Sequence, residues 1–207
     1  MIIVWVRMES ALVHLRKSDP VMAAIIERVG PCQFTVRQPT FETLARSITF
    51  QQLNGRAAST IFERLKKVAG RRFTAAAFLR LSIDELRACG LSRQKIASLR
   101  DLAERVARKE IDFRRLPELE DDEIISVLSQ VRGVGIWTAQ MFLIFALERP
   151  NVMPVADLGI RHAVRKAYGL SEVPKPSEML KYAEKWHPYC SIASWYLWRS
   201  LEGQAKI

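Results

Sequence analysis

The sequence predicts an all-α protein built from two helical lobes. Apolar residues recur at the i, i+3, i+4, i+7 spacing of a helix face along nearly the whole chain, and the alternating pattern of strands is almost absent. Helix boundaries are marked by a capping box of Ser82 with Glu85 and by Gly70 and Gly90 after apolar runs. Prolines separate the periodic segments, and the stretch ERPNVMPVAD is favoured as the seam between the lobes.

Each periodic segment predicts one helix. Thr40 is an N-cap candidate for a face of Phe41, Leu44, Ala45 and Ile48. Ser92 begins a helix with Ile96, Leu99 and Ala103 on one side. The remaining predicted helices are one from 58 up to Gly70, 83–89, one with an acidic first turn at 120–123 that ends at about Val131, one beginning near Thr138, 158–168, 177–186 and one from 191 to about 201.

Composition and charge narrow the class of protein. Of 207 residues, 49% are hydrophobic, which is enough to build a substantial core. Lys and Arg number 32 against 22 Asp and Glu, a net charge of +10, as expected for a protein that binds nucleic acid or another anionic surface. A basic protein without such a partner is the alternative that charge alone leaves open.

Membrane, metal and disulfide classes are not supported by the sequence. The opening MIIVWV is too short for a membrane span and lacks signal-peptide features, so we expect a packed N-terminal segment. Three widely spaced cysteines fit neither a disulfide framework nor a zinc or iron–sulfur site, and the three histidines have no metal-ligand spacing. A reducing, intracellular location is expected.

The stretch VRGVGIWTAQMFLIF places two glycines between an amphipathic helix and an apolar one. Glycines there permit a tight reversal, and the apolar second helix is expected to be buried. Backbone N–H groups at its N-terminus would bind an anion, which on a basic protein is a nucleic-acid phosphate. A plain turn between core helices is the alternative.

Several segments together resemble the helix–hairpin–helix DNA glycosylases. QVRGVGIWTAQMFLIFAL is similar to their hairpin, and MPVADLGIRHAV is similar to the segment that carries their catalytic aspartate. ARSITFQQLNGRAASTI, LRACGLSRQKIASL and AEKWHPYCSIASWYLWRS also match, so the resemblance runs from about Ser18 to Leu201 and is strongest to the 3-methyladenine DNA glycosylase II branch.

The resemblance implies a monofunctional enzyme of base excision repair. Its partner would be double-stranded DNA containing damaged bases. An alkylated purine of the 3-methyladenine or 7-methylguanine type would flip into an aromatic cleft between the lobes and be cut from the sugar. We expect a monomer in the cytoplasm and nucleoid, or in the nucleus of a eukaryote. A non-catalytic helix–hairpin–helix DNA-binding module, and a sibling glycosylase for mismatched, deaminated or oxidised bases, are the alternatives.

Three residues are expected in the catalytic pocket. Asp157 alone would be read as a helix N-cap, whereas the resemblance makes it the catalytic carboxylate, and both roles are compatible. Trp137 occupies the position where strand-nicking relatives carry a lysine, which implies no lyase activity, and it would line the base pocket. Trp198 matches a second pocket aromatic.

The resemblance also implies DNA contacts. Gln51, Gln52 and Leu53 fall where the family inserts a wedge into the gap left by the flipped base. The hairpin contacts would be Arg132, Gly133, Val134, Gly135 and Thr138. Main-chain carbonyls of Ser129, Val131 and Val134 would hold a structural Na⁺ or K⁺, with no required cofactor and no iron–sulfur cluster.

The lobes are expected at 38–150, which contains the helix–hairpin–helix at about 121–147, and at 1–37 together with 151–207, which carries Asp157. Cys190 departs from a frequent arginine of the family, which puts in doubt one local stabilising contact.

Overall fold

The fold is described by a computed structural model that covers residues 2–202, with side chains from residue 8 onward. Within this range the chain forms twelve α-helices and one 3-10 turn, and no strand. The all-α prediction is therefore confirmed. The helices are α1 (Ile2–Ser18), α2 (Pro20–Val29), α3 (Phe41–Phe50), α4 (Gly55–Ala69), α5 (Ala75–Leu79), α6 (Ile83–Ala88), α7 (Arg93–Ala107), α8 (Asp121–Ser129), α9 (Ile136–Phe145), α10 (Leu158–Ala167), α11 (Pro176–Trp186) and α12 (Cys190–Leu201), with the 3-10 turn at Leu116–Glu118.

Residues Val36–Leu147 form one compact unit, from α3 to α9. Helix α7 packs against α3, α5 and α6, and α8 packs against α9. The core of this unit includes a cluster of aromatic rings from Phe41, Phe62, Phe73 and Phe78. Burial of these large apolar side chains fixes α3, the helix that leads to the predicted wedge.

The second compact unit is discontinuous in sequence: residues up to Thr35 join those from Glu148 onward. Helix α12 packs against α2, α10 and α11, and α1 packs against α2 and α11. Trp186 and Tyr196 are fully buried in this core. Trp195, also buried, packs beside Tyr196. Cys190 is buried too, and its thiol donates to the Ala183 carbonyl.

Three predicted helix starts are confirmed by their caps. Thr40 and Ser92 each accept a backbone N–H through their hydroxyl groups, and Ser82 with Glu85 forms the capping box. The expected start of α9 near Thr138 is wrong by two residues, because Gly135 is the N-cap and Ile136 is already helical. Side chains of MIIVWV lie outside the described residues.

The prediction that α9 is buried on all sides is only partly correct. Phe142 and Leu143 are buried, whereas Ile136 is 62% and Trp137 is 45% exposed. The two exposed apolar side chains therefore lie at the N-terminal end of α9, directly after the glycine turn. Over the described part of the chain, no helix combines the length and apolarity needed to cross a membrane.

Candidate active site and nucleic-acid interface

Asp157 lies at the start of α10 and is nearly buried, with 8% of its surface exposed. Its Oδ1 atom accepts the Ile160 backbone N–H at 2.8 Å, the geometry of an N-cap. The N-terminal end of the helix dipole favours a negative charge at this position. The carboxylate is thus held at a defined orientation in a poorly hydrated environment, where it acts strongly on a nearby cation.

Trp198 also orients this carboxylate. Its indole Nε1–H donates to Asp157 Oδ1 at a distance of 3.0 Å. Trp198 lies on α12, 41 residues further along the chain. Gly159 makes room for the pair: a Cβ atom there would lie 3.1 Å from Asp157 Oδ1 and 3.5 Å from Trp198 Cδ1. Sequence reasoning missed Gly159, although a glycine in the first turn of a helix is a recognisable signal because it lowers helix stability.

The two hairpin glycines are not equivalent. Gly133 has a φ of 77°, and a Cβ atom there would lie 2.7 Å from the Ser98 Oγ of α7. Gly135 has a φ of −96°, and a Cβ atom at that residue would meet nothing within 4 Å. Only Gly133 uses the conformational freedom of glycine, whereas Gly135 leaves the N-terminus of α9 open.

One hydrogen bond to α7 and one within the hairpin hold it in place. The Arg132 N–H donates to Asp101 Oδ2 at 2.8 Å, and the Val134 N–H donates to the Val131 carbonyl at 2.9 Å. These two amides are therefore engaged within the protein. Arg132 itself is exposed, whereas Val134 is buried.

Gln51 connects the end of α3 to the hairpin. Its Nε2 group donates to the Gly133 carbonyl at 3.0 Å and to Thr138 Oγ1 at 3.2 Å. Thr138 is buried. Gln51 and Thr138 were both expected to contact DNA. Their side chains instead contact each other inside the protein and help to fix the position of the hairpin.

The predicted wedge lies in the turn at residues 51–53, here called the wedge turn. A lysine that sequence reasoning missed holds this turn. Gln52 has a φ of 55° and is exposed, as is the Leu53 side chain next to it. The Lys95 ammonium of α7 donates to the carbonyls of Ile48, at 3.2 Å, of Thr49, and of Gln51, at 2.7 Å. These are C-terminal carbonyls of α3 without intrahelical N–H partners, so Lys95 caps the helix that presents the wedge.

The residues of α7 that support the hairpin and the wedge are Lys95, Ser98 and Asp101. Their spacing of three residues places them along one helix face, but polar residues at this spacing are equally typical of a solvated face. Their partners are distant in the sequence, so the contacts themselves could be identified only in the folded structure.

A cavity of about 800 Å³ lies beside the wedge turn in the Val36–Leu147 unit. Its walls include Gln52, Leu53, Trp137 and Gly133 together with Phe50, Met141 and Arg46, which were not predicted. This size lies within the range of ligand-binding cavities. Trp137 and the wedge residues therefore surround one space, while Asp157 and Trp198 are joined by a hydrogen bond in the other unit.

The comparison with protein families decides what kind of protein carries these sites. Residues 45–188 match the HhH-GPD superfamily base excision DNA repair proteins. The chain belongs to this family. The matched range contains the wedge turn, the hairpin and Asp157.

Proteins named as 3-methyladenine DNA glycosylases or glycosidases match this chain over most of its length. The chain is 35% identical to DNA-3-methyladenine glycosylase 1 of Schizosaccharomyces pombe over 92% of this chain and 86% of that protein. A structure of the 3-methyladenine DNA glycosylase of that yeast in complex with abasic DNA has a TM-score of 0.81 at 34% identity, covering 92% and 95% of the two chains. A DNA-3-methyladenine glycosidase from Bacillus halodurans has a TM-score of 0.82 at 32% identity, covering 91% and 88%.

Proposed function

We propose that this HhH-GPD protein is a monofunctional DNA glycosylase of base excision repair. Its substrates would be double-stranded DNA containing alkylated purines of the 3-methyladenine and 7-methylguanine type. The observation that carries the proposal is the buried Asp157 carboxylate, which is oriented by two hydrogen bonds at a helix N-terminus. The names of the relatives support the substrate class. Since the substrate is genomic DNA, the enzyme would act inside the cell.

Asp157 would act on the sugar. Breaking the C1′–N bond leaves positive charge on C1′ and its ring oxygen, and a nearby carboxylate stabilises this charge. Water then attacks C1′, and the carboxylate orients this water. The rigid mounting of Asp157 by Ile160 and Trp198 means that little reorganisation is required when the charge develops.

Aromatic side chains would bind the flipped base. The face of Trp137 is electron-rich and attracts a methylated, positively charged purine. Trp137 and Phe50 line the same cavity, which supports this assignment. Gln52 and Leu53, exposed at the wedge turn, would fill the gap in the duplex.

The absence of lyase activity is proposed on two grounds. Trp137 provides no amine, and Lys95, which lines the cavity, is engaged with three carbonyls. Burial lowers the pKa of Lys95, which by itself would favour a nucleophilic amine. However, three carbonyl acceptors require the three N–H groups of an ammonium, and an ammonium has no lone pair with which to form a Schiff base.

The hairpin would bind the DNA backbone through the amides at the start of α9, where Gly135 makes no side-chain cap. Carbonyls of Ser129, Val131 and Val134 would hold a Na⁺ or K⁺ ion. These residues fit such an ion because Ser129 ends α8, where the helix dipole is negative, and its Oγ is buried without a hydrogen-bond partner among the described residues. The ion would add positive charge for a phosphate. We propose no other cofactor and a monomeric enzyme.

Substitution of Asp157 by asparagine tests the function. The asparagine Oδ1 accepts the same two hydrogen bonds, so the fold and DNA binding should change little. Single-turnover excision of 7-methylguanine from a duplex should fall by on the order of a hundredfold or more, because the charge that stabilises the transition state is lost. Excision at the parental rate would remove Asp157 from the chemistry, and no excision by the parent protein would support the non-catalytic alternative.

Borohydride trapping tests the monofunctional assignment. The enzyme should leave an unbroken abasic strand, and reduction during turnover should yield no covalent enzyme–DNA adduct. A trapped adduct that disappears in Lys95→Met would identify Lys95 as the amine and overturn the assignment.

A further inference from the structure

Arg46 is a cation in the cavity to which none of the roles above applies. It lies on α3, one helical turn before Phe50, and its guanidinium carbon is 3.7 Å from the centroid of the Phe50 ring. Both side chains line the cavity, as do Trp137 and Met141. Stacking on Phe50 holds the planar guanidinium against one wall of this space.

The guanidinium has unused hydrogen-bond donors. Among residues 8–202 it forms no ion pair within 4 Å and no hydrogen bond, and its described contact is the stack on Phe50. Glu63 attracts it from a distance and Arg37 repels it. Burial lowers the pKa of Arg46, with a smaller contribution from Arg37, yet a guanidinium stays protonated at neutral pH. The cavity therefore offers N–H donors and a positive charge to a ligand.

We propose that Arg46 is a specificity-determining residue that donates hydrogen bonds to an acceptor atom of an uncharged purine lesion in this cavity. It would thereby extend the enzyme from cationic methylated purines to neutral ones. The proposal rests on the proposed glycosylase function, because it assumes that the cavity receives the flipped base.

The charge balance of the reaction explains why a donor matters for neutral purines. When the C1′–N9 bond breaks, the electron pair leaves with the base, so a neutral purine departs as an anion. Water adds hydroxide to C1′, and its remaining proton neutralises the departing base. A guanidinium at the carbonyl oxygen or N7 of the purine stabilises the negative charge while it develops.

The opposite holds for purines methylated at N3 or N7. Such a base is already cationic and leaves as a neutral molecule, so it develops no negative charge for Arg46 to stabilise. In the bound substrate, the guanidinium and the base repel each other. Arg46 should therefore favour neutral over cationic substrates, in contrast to Trp137, whose electron-rich face favours the cation.

The experiment compares two lesions in otherwise identical duplexes. Hypoxanthine is the neutral purine probe and 7-methylguanine is the cationic one, and kcat/KM is measured for each with the parent protein and Arg46→Met. We expect Arg46→Met to lower kcat/KM for hypoxanthine by about tenfold or more, the usual effect of losing a hydrogen bond to a charged group. The value for 7-methylguanine should stay within about threefold of the parent.

Two further variants make the result specific. Arg64→Met removes an exposed arginine of α4 and the same charge, and it should leave the ratio of the two kcat/KM values unchanged. Arg46→Lys keeps the charge without the guanidinium fork, and its ratio should fall between those of the parent and Arg46→Met. If thermal melting shows that Arg46→Met is unfolded, Arg46→Lys replaces it as the test variant.

Three outcomes would overturn the proposal. An equal fall for both lesions, accompanied by weaker binding to undamaged duplex, would assign Arg46 to the DNA backbone. An unchanged ratio would remove Arg46 from base recognition. Failure of the parent to excise hypoxanthine while it excises 7-methylguanine would refute the neutral-substrate role and leave the glycosylase function intact.

Discussion

At the scale of single residues, the site depends on how one carboxylate is oriented. Two donors reach the same Oδ1 atom of Asp157, the Ile160 backbone N–H of its own helix and the Trp198 indole of α12. The backbone bond is an ordinary helix cap. The indole bond is specific to this tertiary arrangement, which makes Trp198 a candidate for positioning the Asp157 carboxylate.

Trp198→Phe should lower kcat for 7-methylguanine excision by about tenfold while changing the affinity for undamaged duplex little. The aromatic bulk is kept, but the donor that orients Asp157 is lost. A double-mutant cycle with Asp157→Asn provides the control. If Trp198 acts through Asp157, its substitution should cost little more in the Asp157→Asn background, whereas additive losses would show that Trp198 acts mainly on the base.

The N-cap position of Asp157 could be predicted from sequence because its signal is local, whereas the hydrogen bond from Trp198 could not. PVADLGIR carries both the family likeness and the N-cap position within a few residues. The hydrogen bond from Trp198 joins positions 41 residues apart, and periodicity does not specify which indole reaches which oxygen. Gly159 belongs to the same stretch, but its purpose depends on the Trp198 ring beside it.

At the scale of elements, helices were predictable and their supports were not. Caps at Thr40, Ser82 and Ser92 follow from side chains that hydrogen-bond their own helix. The long-range clamp of Lys95 on α3 arises only when α7 packs across the end of that helix. Sequence alone could not distinguish Lys95 from a lysine on a solvated face.

Lys95→Met should loosen the wedge turn. Loss of the ammonium leaves the Ile48, Thr49 and Gln51 carbonyls without this donor, which should lower the free energy of unfolding by about 1–3 kcal/mol. We expect the preference for an abasic-site duplex over undamaged duplex to shrink, as measured by binding isotherms. Lys67→Met, at an exposed position of α4, should change neither quantity. An unaltered preference in folded Lys95→Met would show that the turn does not need the clamp.

The two hairpin glycines should respond differently to substitution. Gly135→Asp places a carboxylate at the open N-terminus of α9 and should weaken binding to all DNA sequences alike, because backbone contacts carry no sequence information. Gly135→Ala is the matched control, since its Cβ meets nothing within 4 Å, and should keep parental affinity. Equal binding by folded Gly135→Asp would place the DNA backbone elsewhere.

At the scale of the whole molecule, the unit that carries Asp157 is assembled from both ends of the chain. Asp19, 1% exposed, helps to join them. Its Oδ1 accepts the Val21 and Met22 N–H groups at the start of α2, and its Oδ2 accepts the Tyr168 hydroxyl and the Trp186 Nε1–H. Burial, reinforced by Asp19, raises the pKa of Tyr168, so this hydroxyl remains a donor at physiological pH.

Tyr168 is the C-cap of α10, the helix that begins after Asp157. Asp19 thus fixes the far end of the ten-residue helix on which the catalytic candidate is mounted. This link between α2 and α10 could not be inferred from the sequence, because Asp19 and Tyr168 are 149 residues apart. The sequence showed only an aspartate before a proline, a common helix start.

Asp19→Asn should therefore destabilise the fold without changing the chemistry. An asparagine can cap α2 through Oδ1, but its amide would bring two N–H donors toward the Trp186 Nε1–H, which is itself only a donor. Leaving that buried indole without an acceptor should cost about 1–3 kcal/mol of unfolding free energy. Thermal melting should show the loss, and Glu27→Gln, which neutralises an exposed carboxylate of α2, should melt like the parent. Well below the melting transition, Asp19→Asn should excise 7-methylguanine at nearly the parental rate, because Asp157 and Trp198 are intact. A parental melting temperature would show that the Asp19 contacts do not hold the two chain ends together. A large loss of excision rate in the folded variant would show that Asp19 sets the position of α10, and not only the stability of the fold.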